Sequence, residues 1–399
     1  MNIEKLKQKF YAKYALVQTT TVRNTINEFD WSNRLIGLRG SRGVGKTTLI
    51  LQYIKLNYNP DNAVLYISLD DMFFSENTLY DLAVHFYNQG GILLAIDEVH
   101  RYKNWASEIK NIYDDLPELK IIFTGSSLLH LVEAKADLSR RAVMHDMPGL
   151  SLREFIWLNG IAKFKAYPLT ELLENHIDIS MEIKQKIKPI KFFKDYLNFG
   201  YYPFFLENQP SYHQKLSETI LTVLEVDIPQ FANIQISNIV LLKKLLRIIS
   251  RSSPFKPNMK SLSERSGISL NTMKHYLKLL TDAELINMLY FEEKHLNSLG
   301  KPDKIYLNNT NLMFNLSSEN LNIGNARETF FFNQVSRNNK ITESKFSDFY
   351  VNQKYTFEVG GRNKKKSQIR DIENAFVVKD DIEIGSNNIV PLWLFGFLY

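Results

Sequence analysis

Residues 40–48 read GSRGVGKTT. No other stretch constrains the fold of this chain as tightly. Gly40, Gly43 and Gly45, followed by Lys46 and Thr47, fit the spacing G-x-x-x-x-G-K-[ST], in which backbone N–H groups close on phosphate oxygens. The pattern has meaning only where a strand enters the loop and a helix leaves it. Both flanks are present. Residues 35–38 (LIGL) read as a short buried strand, and 47–58 as a helix stopped by Asn59 and Pro60. Further strands are expected at 63–69 (AVLYISL), 92–96 (ILLAI), 120–123 (KIIF) and 143–147. A helix is expected over 78–88. Another carries Trp105, Ile109, Ile112, Tyr113 and Leu116 on one face and closes at Pro117. Strands alternating with helices imply an α/β fold, a parallel sheet covered on both faces, of the P-loop NTPase kind.

The chemistry follows from the loop. Gly40, Ser41, Arg42, Gly43, Val44, Gly45, Lys46, Thr47 and Thr48 form the expected nucleotide cradle, with the following helix adding its positive end. Lys46 is placed to reach the β- and γ-phosphates. Thr47 offers a hydroxyl to Mg²⁺. A second signal is ILLAIDE over 92–98, an apolar run ending in two acids. That puts Asp97 and Glu98 at the C-terminal edge of a central strand, where open parallel sheets bind ligands. Asp97 is expected to hold Mg²⁺ through water and Glu98 to polarise the attacking water. An Asp-Glu pair points to an ATPase carrying its own water-activating carboxylate. No guanine-specifying N-K-x-D lies in this region, so ATP is preferred to GTP. Ser126, at the end of the KIIF strand, is the expected sensor of the γ-phosphate, with Thr124 as the alternate. Arg140 and Arg141 are candidates to stabilise transition-state charge, in cis or from a neighbouring copy.

Composition sets limits. At 399 residues and 44% hydrophobic content the chain can build two or three cores. It has no cysteine, which excludes disulfides and thiolate metal sites. Its eight histidines lack ligand spacing, so no zinc is expected. No apolar run approaches the roughly 20 residues of a membrane helix. The N-terminus has no signal-peptide core, and a cytoplasmic location is expected. A net charge of +6 permits nucleic-acid binding without requiring it.

Beyond residue 150 the pattern changes. Ser151 and Glu154 have capping-box spacing, so a helix starts there, and 151–233 reads mostly helical. Helices around 239–250, 261–266 and 269–283, with a turn at Gly267 and a strand from Leu285 to Tyr290, follow winged-helix order. On the helix from 269, Asn271, Thr272, His275 and Lys278 suit base or phosphate contacts. From 301 onward a helix is expected at 325–337 and strands at 347–351, 355–359, 375–378 and 390–395. A basic run, residues 362–367 (RNKKKS), lies between the second and third.

Taken in order, GSRGVGKTT, YISLDD (66–71), ILLAIDEVHRYKNW (92–105), IIFTGSS (121–127), LSRRA (138–142) and PGLSLREF (148–155) resemble the AAA-like ATPases of bacteria and archaea that carry a C-terminal domain of uncharacterised function. The likeness is greatest to the archaeal-type branch near the STAND group. It is dense over 30–160 and looser beyond. It implies an ATPase core at 1–150, a helical lid at 151–233, a winged helix at 234–300 and, over 301–399, a domain related to the restriction endonucleases. Such an endonuclease core needs an Asp on one strand and E-x-K on the next. Asp348 and Glu358 sit accordingly, with Glu328 as a third acid, but the lysine position is Gly360. Arg362 or Lys364 would have to take its place, and arginine does not readily give up a proton. The domain therefore reads as an inactive relative. Lys364, Lys365 and Lys366 are candidates to bind phosphate backbones.

The expectation is a Mg²⁺-dependent, ATP-hydrolysing molecular switch that moves its later domains against duplex DNA, a protein or further copies of the chain, with no membrane partner. The alternatives are a nucleotide-gated DNA-binding regulator with little turnover and an ATP-dependent nuclease using Asp348 and Glu358.

Overall fold

The computed structural model describes residues 3–60, 63–129, 138–232, 236–292, 301–317, 322–364 and 369–399. Asp137, and Lys365, Lys366 and Ser367 of the basic run, lie outside the described residues. The chain divides into two compact units, residues 1–148 with 226–233, and residues 149–225 with 234–399. The sequence reading placed 226–233 within the helical region; its contacts put it in the first unit.

The first unit is built on a five-stranded sheet: β1 Leu35–Gly40, β2 Val64–Ser68, β3 Leu93–Asp97, β4 Lys120–Ser126 and β5 Val143–Asp146. The order is β2-β3-β4-β1-β5, and each pairing is parallel. Every residue of β3 is buried, which explains its unbroken apolar run in place of alternation. Five helices are named here: α1 Glu4–Leu16, α2 Thr25–Glu28, α3 Lys46–Asn57, α4 Leu79–Asn88 and α5 Trp105–Asp115. The Thr78 side chain caps α4 by accepting from Asp81 N. Trp105, Ile109 and Ile112 of α5 are buried at the spacing their sequence implies.

One topological fact governs the site. β4 lies between β1, which carries the glycine loop, and β3, which carries the acids. Leu38 of β1 stands beside Thr124, and Ile96 of β3 beside Phe123. The first residues past that pairing, Asp97 and Thr124, therefore meet at the C-terminal edge of the sheet.

In the second unit the expected capping box is present: the Ser151 hydroxyl accepts from Glu154 N, and Glu154 accepts from Ser151 N. Helices follow at Leu169–Glu174, His176–Lys186, Pro189–Phe199 and Tyr212–Thr222. After residue 235 come helices Ile236–Ser252, Met259–Ser266 and Leu270–Asp282, then β6 Ile286–Leu289 antiparallel to β7 Lys304–Leu307. Gly267, at φ 74°, ends the second of these helices in the left-handed conformation. Ser269 caps the third by accepting from Thr272 N.

A second sheet has the order β12-β11-β10-β9-β8, from β8 Ile341–Glu343, β9 Phe349–Val351, β10 Tyr355–Gly360, β11 Ala375–Lys379 and β12 Ile389–Pro391. β8, β9 and β10 pair antiparallel; β10, β11 and β12 pair parallel. Three elements here differ from expectation. The helix Thr310–Leu316 and the three-residue β8 were not foreseen. The last expected strand, 390–395, ends at Pro391 and becomes a 3₁₀ helix, Leu392–Phe397. Proline has no N–H to extend a ladder, and Leu392 to Phe397 are buried all round, so their apolar run carried no strand periodicity. Among the described residues no helix is long and apolar enough to cross a membrane.

Candidate active site

The loop between β1 and α3 folds as its glycines require. Gly43 and Gly45 have φ of 86° and 96°, conformations that side chains rarely adopt. At Gly40 an added Cβ would lie 2.3 Å from the Met147 carbonyl oxygen. Lys46, the first residue of α3, is buried, and its Nζ donates to the carbonyls of Gly40 at 2.8 Å and Ser41 at 2.9 Å. It is thus held across the mouth of the loop.

Asp97 is the hub. Its carboxylate accepts from Thr47 Oγ1 at 2.7 Å and Tyr66 OH at 2.6 Å through Oδ2. Through Oδ1 it accepts from Thr124 Oγ1, and from Glu98 N at 3.2 Å. Tyr66 reaches it from β2, the neighbouring strand, in which Ser68 stands beside Asp97. Burial, then the Asp97 charge, pushes the Tyr66 phenol well above its ordinary range, so it remains a donor. The donor set fits Mg²⁺. Thr47 and Asp97 present hard oxygens side by side, and among the described residues no group of three or more His, Cys, Asp and Glu converges as a closed metal centre. A cation that keeps waters and takes phosphate oxygens needs only such a sparse protein set.

Glu98 turns the chain sharply. Its φ of 54° is left-handed, an uncommon conformation for a residue with a Cβ, and its N–H donates to Thr124 Oγ1 at 3.2 Å. Burial pushes its carboxyl pKa up, against the opposing pull of Lys46. Its Oε2 lies 3.1 Å from His100 Nε2, close in distance but not aligned as a hydrogen bond. Burial, then the charges of Arg101, Lys46 and Arg42, pushes His100 down to about 3, so its ring is neutral at pH 7.

Behind His100 stands Asp227, from the 226–233 segment. Arg42 of the glycine loop lies 3.5 Å from it, Arg101 3.8 Å and His100 3.9 Å. Gln230 donates to the His100 carbonyl, and Phe231 stacks on the His100 ring at 5.8 Å. Sequence reasoning missed Tyr66, His100, Arg101 and Asp227. His100 and Arg101 follow the acid pair after Val99 and were within reach of it. Nothing local marks Asp227, which is 185 residues from Arg42.

The other expected residues are placed as follows. Of the two sensor candidates, Thr124 touches Asp97, whereas Ser126 lies past the end of β3 and its hydroxyl accepts from Leu128 N at 3.4 Å. Arg141 grips Asp114 of α5 with two bonds of 2.8 and 2.9 Å. Arg140 is exposed at the end of the short turn Leu138–Arg140.

Residues 32–156 match the AAA domain family. Over that stretch, which holds the glycine loop and the acid pair, the chain is similar to AAA domains. Residues 190–324 match a domain of unknown function, DUF8612. A comparison with curated proteins finds no match. Solved structures similar to the chain include AMPPCP-bound DnaA from Aquifex aeolicus, at 16% identity over 75% of this chain and 93% of that one, TM-score 0.26. S. cerevisiae Hsp104 with ADP is similar at 15% identity over 75% of this chain and 39% of that one, TM-score 0.27. A katanin from a study of self-assembly is similar at 15% identity, TM-score 0.26, over 42% of this chain, which spans 58% of the katanin chain. Superposition at that level carries no functional weight.

In the second unit the acids expected of an endonuclease are engaged by lysines. Lys304 Nζ lies 3.5 Å from Glu328, 3.7 Å from Asp348 and 3.9 Å from Glu343. Asp348 Oδ2 also accepts from Val359 N at 2.8 Å. Lys364 Nζ meets Glu358 Oε1 at 2.5 Å. Its stem crosses Gly360, where an added Cβ would lie 2.7 Å from Lys364 Cδ. Lys364 thus occupies the space of the side chain that Gly360 lacks.

Proposed function

We propose that this chain is a Mg²⁺-dependent ATPase acting as a molecular switch, with its nucleotide state read out by the domains that follow the ATPase core. The observation that carries the reading is the Asp97 hub. One carboxylate is bonded to the phosphate-loop threonine, Thr47, and to the residue that orients Glu98, Thr124. Lys46, first residue of α3, and the loop N–H groups hold the phosphates. Thr47 and Asp97 hold Mg²⁺, which when bound neutralises charge on the terminal phosphates. Glu98, its carboxyl raised by burial, orients a water and accepts its proton.

The readout is assigned to a lid over 151–225, a winged helix over 234–300 and an endonuclease-like domain over 301–399. DNA is the favoured partner. On the helix Leu270–Asp282 the residues Met273, Tyr276, Leu277 and Leu280 are buried, which leaves Asn271, Lys274, His275 and Lys278 exposed on the opposite face. A polar, basic face on the last helix before a hairpin suits a DNA groove. The test is ATP turnover with and without duplex DNA at low salt. A rate raised by DNA supports the reading; an indifferent rate transfers the readout to a protein partner, sought with the Glu98→Gln chain.

One observation favours a second reading, a metal-dependent nuclease. Lys364, folded over Gly360 onto Glu358, supplies the lysine that the E-x-K spacing lacks. Against it, Lys304 and Lys364 already neutralise the acids that an active centre offers to a cation. DNA cleavage in Mg²⁺ or Mn²⁺, lost on Asp348→Ala, would establish the nuclease.

A further inference from the structure

The 226–233 segment is out of place in the chain. The residues before and after it belong to the second unit, yet it clusters with the ATPase core. The chain enters it through a π-helical stretch, Val223–Asp227, a rare winding that often marks functional positions. Asp227 is the last residue of that stretch, and its side chain is only 2% exposed. Around it stand Arg42, between Ser41 and Gly43 of the phosphate loop, and Arg101, three residues past Glu98. Lys46 contributes to the same positive field. The two segments that handle phosphate thus each send an arginine to one buried carboxylate. No contact of the set is shorter than 3.5 Å. The grouping is a positive pocket around an anion rather than a tight bidentate pair.

We propose that Asp227 is an internal stand-in for the terminal phosphate of ATP: Arg42 and Arg101, which lie against it, hold the γ-phosphate in its place when ATP binds. This rests on the ATPase reading above. The γ-phosphate brings negative charge to Lys46, beside a carboxylate buried with it, and like charges at low dielectric repel strongly. ADP lacks that charge and leaves Asp227 seated. The anchors of the segment, Gln230 on the His100 carbonyl and Phe231 on the His100 ring, are side chains of the same short helix, Ile228–Ala232. Release of Asp227 therefore loosens the whole of 226–233, a stretch covalently continuous at both ends with the second unit. Arg42 and Arg101 become phosphate-binding residues in cis, beside Arg140 and Arg141, the sequence candidates for stabilising transition-state charge in cis or from a neighbouring copy.

The experiment is calorimetric titration of ATP and ADP into the full-length Glu98→Gln chain, with Asp227 intact or changed to Asn. Loss of the competing charge should tighten ATP about tenfold, within the range of measured site-to-site couplings, and leave ADP nearly unchanged. Equal effects on the two nucleotides, or weaker ATP, overturn the proposal. If ATP binds the intact chain and Asp227→Asn changes nothing, this proposal falls and the ATPase reading stands. If neither chain binds nucleotide, both fall. A second readout does not depend on removing the acid. The chain has no cysteine, so Ile228→Cys places one thiol at a fully buried position of the segment and keeps both anchors. Its maleimide reaction should be faster with ATP than with ADP; equal rates contradict the release.

Discussion

Thr124→Val removes a single hydroxyl with little change in shape. That hydroxyl donates to Asp97 Oδ1 and accepts from Glu98 N at 3.2 Å, in a place where Thr124 is fully buried and Asp97 is 3% exposed. Water cannot replace it. A hydrogen bond to a charged group contributes about 1.5–3 kcal/mol. If that is lost from the geometry that orients Glu98, turnover should fall about 10- to 150-fold. Asp97 keeps Thr47 and Tyr66, so ATP affinity should change by less than the turnover does. Ser126→Ala is the control. Its hydroxyl accepts a long bond from Leu128 N at 3.4 Å, and its loss should leave turnover within about twofold. Steady-state phosphate release with saturating ATP measures both. Wild-type turnover in Thr124→Val, or a larger loss in Ser126→Ala, would refute the placement of the sensor on Thr124.

Other outcomes follow from the same geometry. Lys46→Ala should abolish tight ATP binding, and unchanged affinity by fluorescent-nucleotide titration would remove the phosphate loop from the account. Glu98→Gln should keep ATP bound and unhydrolysed; normal turnover would show that another group activates water. Gly360→Ala should push Lys364 off Glu358 and leave a carboxylate 3% exposed without its partner. A cost of about 1–3 kcal/mol is expected, read as a lower melting temperature. Asn311→Ala breaks four bonds in the second unit: from Tyr201 N and Tyr212 OH to its oxygen, and from its amide to the carbonyls of Tyr196 and Leu197. The site is fully buried, so a loss of about 3 kcal/mol or more is expected, with a melting temperature lower by roughly 5 °C or more.

The phosphate loop and the acid pair were legible because their chemistry is local. Gly43 and Gly45 need a left-handed backbone, Lys46 opens the helix, and β3 runs apolar up to Asp97. Each is a property of consecutive residues. Thr124 was named only as the alternate because the choice depends on register. Both Thr124 and Ser126 end an apolar strand, and only the alignment of β4 with β3 shows that Thr124 lies beside Asp97. Asp227 was illegible for a different reason. It is an acid in a stretch of helical pattern, and its arginines sit 185 and 126 residues away. Only the chain's return to the first unit brings them together. In the second unit, β8 is buried at all three of its residues, so it shows no alternation. The 3₁₀ helix Leu392–Phe397 is buried on every side and so has no polar face to reveal its period.

The central claim is tested most directly by phosphate release from ATP by the purified full-length chain, measured with Mg²⁺ and then with excess EDTA, beside the Glu98→Gln chain. Turnover that requires Mg²⁺ and disappears in Glu98→Gln is the predicted result. Turnover that persists in Glu98→Gln, or none in a wild-type chain that binds ATP, would contradict the account.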